Sequence, residues 1–258
     1  ISAGAPVYAD NIEQFRALLG PDAEIHTPYG ATEAVPIVSI TSNEILSETR
    51  QLSEKGYGIC IGRPINNIDV CIIKISDDPI ETWSDGLEVS QNDIGEIAVK
   101  GALVSRQYFE NPGANAQMKI KQGDEIWHRM GDLGWMDQKG RIWFCGRKSH
   151  RVITDNRTLF TIPCEAIFNN HPKVFRSALV GVGSPMKQKP VICIELKKEY
   201  LKANKKELSI GLAALAARHE LTKTIETILF HGAFPVDIRH NSKIFREKLA
   251  AWAEQKLK

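Results

Sequence analysis

Tyr29-Gly30-Ala31-Thr32-Glu33 is the stretch whose reading decides the fold. Two small residues that permit a tight turn stand beside a hydroxyl and a carboxylate. A hard divalent cation takes oxygen ligands and keeps some of its waters. Thr32 and Glu33 behind a glycine turn are therefore suited to hold a magnesium–nucleotide. The same letters fit a plain helix start with Thr32 as its cap, and taken alone they leave both readings open. The segment stands close to Ile1, and a chain with no initiator methionine at its head is expected to be the later part of a longer parent.

Around this segment, residues 1–58 read as short helices and loops. From Gly62 to Gly146 the signals turn to strands. Ile68-Asp69-Val70-Cys71-Ile72-Ile73-Lys74-Ile75 is a β-branched run, and Ile94-Gly95-Glu96-Ile97-Ala98-Val99-Lys100-Gly101 alternates and ends on glycine. Arg141-Ile142-Trp143-Phe144-Cys145 follows a turn at Asp137–Gly140. Short strands with turn residues between them predict a small barrel or curled sheet. The character changes after Arg147. A short helix from Ile162 is broken at His171-Pro172, and strands are expected over Arg176–Gly183 and Val191–Leu196. Helices follow at about 205–218 and 221–229, and a last helix runs from Asn241 to Leu257 with Ile244, Leu249 and Trp252 on one face. The region from 148 to 258 reads as a small α+β domain, with its boundary near Arg147–Ser149.

Three further groups carry chemistry. Gly131-Asp132-Leu133-Gly134 follows Trp127-His128-Arg129. A carboxylate in a tight turn accepts hydrogen bonds from both hydroxyls of a ribose, although turn aspartates are common without any ligand. Gly146-Arg147 ends an expected strand, and arginine offers a planar fork of donors to ribose oxygens or phosphate; a surface arginine at a domain junction reads the same way. Asn241-Ser242-Lys243-Ile244-Phe245-Arg246 opens the last helix, where Lys243 is either a mobile cation within reach of a phosphate or a solvated helix-start lysine.

Composition removes several classes of function. The 258 residues are 43% hydrophobic and 25% charged, ordinary for a globular protein. The net charge of +2 supplies no electrostatic reason for a nucleic-acid partner. No apolar run approaches a membrane span of roughly 18 residues, and a signal peptide is not expected. Cys60, Cys71, Cys145, Cys164 and Cys193 are widely spaced and lie in apolar, strand-like runs, as reduced buried thiols of a cytoplasmic protein would. The histidines show no HxxxH pair, so a metal site made of protein ligands alone is not expected.

In order and spacing, the four groups resemble the AMP-forming, adenylate-forming superfamily of acyl-CoA synthetases, peptide-synthetase adenylation domains and luciferases. Tyr29–Glu33 resembles its YGxTE motif, Asp132 its ribose-binding aspartate, Gly146-Arg147 its GR motif and Lys243 its late catalytic lysine. Gly62-Arg63-Pro64 and Gly95-Glu96 resemble its intervening structural motifs, and Ser2-Ala3-Gly4-Ala5-Pro6 the strand-loop before YGxTE. His26–Ala34, Thr161–Ala166 and Pro235–Lys243 are similar to the β-lactone synthetases of bacterial olefin biosynthesis, a branch often labelled fatty-acyl-CoA ligase or peptide synthase.

The resemblance implies a mixed α/β fold. Residues 1–147 would be the later part of a large adenylation domain with a β-barrel-like subdomain, and 148–258 a small mobile lid domain turning about Ser149. It implies ATP and Mg2+, with Glu33 on the metal and Thr32 on phosphate or metal. Tyr29, Gly30, Asp132 and Arg147 would lie at the nucleotide, with Lys243 as the catalytic cation. A small carboxylic acid, fatty or 3-hydroxy fatty, is the implied substrate. The acceptor is either the thiol of CoA or the substrate's own hydroxyl. Departures are plain. Asn-Ser-Lys replaces the usual Ser-Gly-Lys, and Ser149 stands at the hinge in place of Asp or Lys. The familiar glycine is missing from Thr154-Asp155-Asn156-Arg157. The superfamily's Ser/Thr/Gly-rich phosphate loop, ending Pro-Lys-Gly, does not occur in these 258 residues. The chain by itself is therefore expected to be inactive, or to serve as a nucleotide-binding or interaction module.

Overall fold

The β-branched and alternating runs downstream of the Tyr29 segment become one sheet. The computed structural model describes residues 1–258 apart from 3, 5, 6 and 239 and the side chains of 240–242. Part of the Ser2–Pro6 resemblance and the side chains of Asn241 and Ser242 fall outside the described residues. Two units form: Ile1–Arg50 with Gly58–Lys148, and Gln51–Tyr57 with Ser149–Lys258.

In the first unit the strands are β1 (His26–Ala31), β2 (Ala34–Thr41), β3 (Ile59–Pro64), β4 (Ile68–Ile73), β5 (Gly95–Gly101), β6 (Lys119–Gln122), β7 (Glu125–Met136) and β8 (Ile142–Arg147). They join in the order β1-β2-β3-β8-β7-β5-β4, with β6 on β7, an open path among the described residues. Every pairing is antiparallel. Ile73, Ala98, Ile120 and Trp127 form a core cluster inside the curl. Cross-strand partners Trp135 and Trp143 stack at 5.4 Å, the aromatic pairing that favours neighbouring strands. Helix α1 (Ala9–Arg16) is held by Arg50, which bridges Asp10 at 2.6 Å and Glu13 at 2.9 Å. Helix α2 (Ser42–Glu44) is capped by the Thr41 hydroxyl and runs through a π turn into α3 (Arg50–Glu54), whose residues from Gln51 onward belong to the second unit. Helix α4 (Pro112–Met118) begins with Asn111 as cap and proline at its first position, the placement proline tolerates best.

The Tyr29 segment is neither a helix start nor a loop. It is a β-hairpin in which Ala31 pairs with Ala34, leaving Thr32-Glu33 as the two-residue turn. The β-rich run Ala34–Thr41 decides this, because it pairs with β1 on one side and β3 on the other. Gly30 is required here by close approach: a Cβ would stand 2.5 Å from the Ala34 carbonyl oxygen.

In the second unit β9 (Val152–Ile153) pairs with β10 (Thr158–Leu159), and β11 (Val174–Val182), β12 (Lys189–Leu196) and β13 (Thr227–Phe230) form a three-stranded sheet. Leu179, Ile192 and Ile194 pack against α5 (Thr161–Asn169) and α6 (Lys205–Ala217) through Phe168, Leu208 and Leu212. Ala178, Val180, Val191 and Cys193, one residue out of phase, pack against Leu249 and Ala253 of α7 (Arg246–Leu257). The period-2 alternation of a strand covered on both faces explains both layers. The same alternation overturns the helix expected at 221–229. Ile228 and Phe230 join the first layer and Leu229 the second, so Thr227–Phe230 is a strand, parallel to β12. The last helix also starts later than expected. His240–Ile244 is strand β15, paired with β14 (Val236–Asp237), and the Phe245 amide donates to the Pro235 carbonyl at 2.9 Å before α7 begins.

Candidate nucleotide site

Asp132 does not lie in a tight turn. It sits inside the long strand β7, directly opposite Arg147 at the end of β8. The Gly-Asp and Gly-Arg groups are thus cross-strand neighbours. Tyr29, from the β1 end of the hairpin, donates its hydroxyl to Asp132 Oδ2 at 2.5 Å. Arg147 Nε lies 3.2 Å from Asp132 Oδ1. Asp132 is buried, Arg147 is exposed, and among the described residues Asp132 Oδ1 accepts no well-formed hydrogen bond. Burial pushes the Asp132 carboxyl up to about 6; Arg147 and the Tyr29 hydroxyl pull the other way, and the Glu96 charge adds a smaller upward push. The Tyr29 hydroxyl end is enclosed while the residue as a whole is half-buried. Its pKa is pushed well up, first by that enclosure and then by Asp132.

Glu33, at the other end of the hairpin turn, belongs to a second cluster. The Tyr108 hydroxyl donates to Glu33 Oε1 at 2.8 Å, and the Ser105 amide donates to the Glu33 carbonyl at 2.8 Å. Lys119 donates to the Ser105 carbonyl and hydroxyl at 2.5 and 3.0 Å, and its ammonium lies 5.3 Å from the Tyr108 ring centre. His128 is the cross-strand partner of Lys119. Its Nδ1 lies 3.2 Å from the Met118 carbonyl, which can only accept, so Nδ1 carries the proton. Burial first, then the Lys119 charge, lower His128 to about 4, leaving a neutral imidazole at pH 7. Burial lowers Lys119 to about 8. For Glu33, burial raises the pKa but is outweighed by the Tyr108 hydroxyl, its own backbone, His128 and Lys119, and the carboxyl falls below its usual range. The hairpin therefore presents an ionised, half-buried carboxylate beside exposed Thr32.

Beneath these groups Glu96 and Arg129 form a fully buried ion pair at 2.7 Å, joined by Lys148 at 3.1 Å from the same carboxylate oxygen. Arg129 also donates to the carbonyls of Ser76, Asp78 and Gln117. A buried guanidinium needs this many acceptors. The network fixes β5 against β7, the strand that carries Asp132.

The structure thus brings Tyr29, Asp132 and Arg147 together and sets Thr32 and Glu33 on the same hairpin as Tyr29. Ser149 is exposed at the start of the second unit's main segment, in the 3-10 turn Lys148–His150. Lys243 is exposed on β15 of the second unit, in a strand and not at a helix start. Sequence reasoning missed Tyr108 and Lys119 and passed over His128. One signal was available: Gly123-Asp124 is a two-residue turn between Gln122 and Glu125, and counting back from it sets Lys119 against His128. Burial pushes the thiols of Cys60, Cys71, Cys164 and Cys193 to about 12, so they supply no thiolate nucleophile at neutral pH.

A family profile described as AMP-binding enzyme matches residues 1–109. The chain is 45% identical to an olefin β-lactone synthetase of Xanthomonas campestris pv. campestris, over 98% of this chain and 46% of the relative. It is 43% identical to an olefin β-lactone synthetase of Stenotrophomonas maltophilia, over 99% of this chain and 47% of that one. The chain belongs to the AMP-forming, adenylate-forming superfamily. An ATP-bound RpMatB–BxBclM chimera superposes with a TM-score of 0.77 at 22% identity, covering 100% of this chain and 46% of that one, a likeness of fold. The chain spans about half the length of the curated relatives it matches. The chain has the mixed α/β fold expected of that superfamily. Among the described residues no helix is long and apolar enough to cross a membrane, and no cluster of three His, Cys, Asp or Glu could hold a metal.

Proposed function

We propose that the complete native chain carrying these residues is an AMP-forming acid ligase that activates a fatty or 3-hydroxy fatty acid with ATP and Mg2+. The observation that carries this reading is the Tyr29–Asp132–Arg147 group, which joins three separate motifs of the superfamily at one carboxylate. The residues fit the ligands. Asp132 Oδ1, buried and without a well-formed hydrogen bond, is an acceptor suited to a ribose hydroxyl, with the Arg147 guanidinium beside it. Glu33, held ionised on the hairpin, and Thr32 are oxygen donors of the kind a hard cation takes. Magnesium, when bound, neutralises phosphate charge. Tyr29 orients Asp132, and Gly30 keeps the hairpin close enough for Tyr29 to reach it.

In this reading the substrate carboxylate attacks the α-phosphate of ATP, forming a bond to phosphorus while the bond to the leaving pyrophosphate breaks. Such transfers are driven by positioning and charge neutralisation. Lys243 supplies the cation for charge developing on the α-phosphate and the attacking carboxylate. The small C-terminal domain, 148–258, turns about Ser149 between half-reactions. The named relatives favour attack by the substrate's own β-hydroxyl on the acyl carbonyl of the adenylate, closing a β-lactone as the bond to AMP breaks and the hydroxyl proton is given up to solvent, over transfer to CoA. Supplying the complete native chain with ATP and a 3-hydroxy fatty acid, with and without CoA, tests this. A β-lactone is expected, and an acyl-CoA would assign the ligase branch. Lys243→Ala is expected to cut acid-dependent pyrophosphate release 100-fold or more, about 2.7 kcal/mol. Unchanged release would remove the role given to Lys243.

For the 258-residue chain by itself we infer nucleotide binding without turnover, because the phosphate-loop sequence is not among its residues. Robust ATP–pyrophosphate exchange by this chain would overturn that reading.

A further inference from the structure

Arg246 and Glu165 form a buried pair that the reading above does not use. Glu165, on α5, is 3% exposed at its side chain, and Arg246, at the first position of α7, is 12% exposed. The pair is bidentate: Arg246 Nη1 donates to Glu165 Oε1 at 2.5 Å and Nη2 to Oε2 at 3.0 Å. Both ends also grip the same residue of β11. The Leu179 amide donates to Glu165 Oε1 at 2.8 Å, and Arg246 Nη1 donates to the Leu179 carbonyl at 3.1 Å. Three elements meet at this fork. A cation in the first turn of a helix opposes the helix dipole, so Arg246 is poorly placed for α7 itself and well placed for Glu165.

Lys243 stands three residues before Arg246. Between them Ile244 pairs with Val236, and the Phe245 amide bonds the Pro235 carbonyl. The linking chain has no slack: three residues span at most about 10 Å, and both intervening residues are fixed. We propose that Arg246 is a positioning residue for Lys243, its fork with Glu165 setting where the β14–β15 hairpin presents that lysine. The proposal rests on the reading of Lys243 as the cation of the adenylation step. It adds that the geometry of Lys243 is set from α5 and β11, elements far from it in sequence.

The test is a double-mutant cycle in the complete native chain, with acid-dependent pyrophosphate release as the assay. Arg246→Met keeps the length and removes the fork. It is expected to lower kcat about 10-fold with KM for ATP unchanged within about twofold. In a Lys243→Ala background the same change is expected to alter the residual rate less than about twofold, because the group it positions is gone. Arg246→Met leaves Glu165 buried without its cation and can fail to fold. The paired Glu165→Gln/Arg246→Met variant removes both charges, and the same loss of kcat is expected from it. Equal losses in both backgrounds would show a general structural role and overturn the proposal. Wild-type kcat in both fork variants, with Lys243→Ala still 100-fold down, would overturn it while leaving the Lys243 reading intact. Unchanged release in Lys243→Ala would remove that reading and the proposal with it.

Discussion

The Asp132→Asn variant is expected to be more stable than the native protein at neutral pH and to bind ATP worse. Burial holds the Asp132 carboxyl at about 6, against an ordinary value of 3.8. The net shift of roughly two units, at 1.36 kcal/mol each, is on the order of 3 kcal/mol. The sign follows from proton binding. The folded state holds the proton more tightly than the unfolded chain, so the stability contributed by the protonated carboxyl is fully present below pH 3.8 and is lost as the pH rises through 6. Asparagine resembles the protonated form at every pH. Linkage then makes the variant more stable by about 3 kcal/mol at pH 7.5, about half that at pH 5 and ~0.5 kcal/mol at pH 4. The attractions of Arg147 and Tyr29 for the carboxylate are already contained in the net shift, so they do not reverse the sign.

Urea unfolding of this chain followed by tryptophan fluorescence reads the effect, since Trp135 and Trp143 lie on the two strands that carry Asp132 and Arg147. In the complete native chain the same substitution is expected to weaken ATP binding by about 1.5–3 kcal/mol, the range for a hydrogen bond to a charged group. Gain of stability together with loss of affinity marks a carboxylate kept for binding at the expense of the fold. A variant less stable than the native protein at pH 7.5, or a stability difference that does not change between pH 7.5 and pH 4, would refute the reasoning.

Two further substitutions test the hairpin's surroundings. Tyr108→Phe removes the strongest of the groups that lower the Glu33 pKa, so that pKa should rise and the magnesium concentration needed for half-maximal pyrophosphate release should increase several-fold, with about 1 kcal/mol of stability lost; an unchanged magnesium requirement would separate Glu33 from the metal. Gly62→Ala places a Cβ 1.9 Å from the Ser39 carbonyl at a residue whose φ is +99°. Overlap and left-handed strain together should cost more than about 2 kcal/mol in urea unfolding, and a loss under about 1 kcal/mol would mean that β2 and β3 part easily.

What was legible in the sequence is what repeats locally. Ile72-Ile73, Ile97-Ala98-Val99 and Val191–Leu196 announce strands because their neighbours within a few residues share a two-residue period. The errors have one cause, pairing with a strand outside the misread segment. Gly30–Glu33 carries letters that suit a helix, and what overrides them is the Ala34–Thr41 run, which needs partners on both edges. Thr227–Phe230 is only four residues long and becomes a strand by lying parallel to β12. Lys243 reads as a helix start until Val236 is seen opposite Ile244.

The site divides in the same way. Residue types at the candidate nucleotide site were readable one motif at a time, but their protonation was not. Asp132 owes its raised pKa to burial and its partners to register: Arg147 is opposite it across β7–β8, and Tyr29 comes from 103 residues away. Glu33 owes its lowered pKa to Tyr108, 75 residues on, and to two side chains paired across β6–β7. Both carboxylates lie beside the same hairpin, yet the fold drives their pKa values in opposite directions, Asp132 up by enclosure and Glu33 down by donors and cations. That separation suits the two different tasks proposed for them. A carboxylate that accepts from neutral hydroxyls can tolerate enclosure, whereas one that holds a hard cation must stay charged, half open and surrounded by compensating groups. The hairpin of Tyr29–Glu33 delivers one residue to each environment, and Gly30 lies between them because only a glycine lets the two strands come that close.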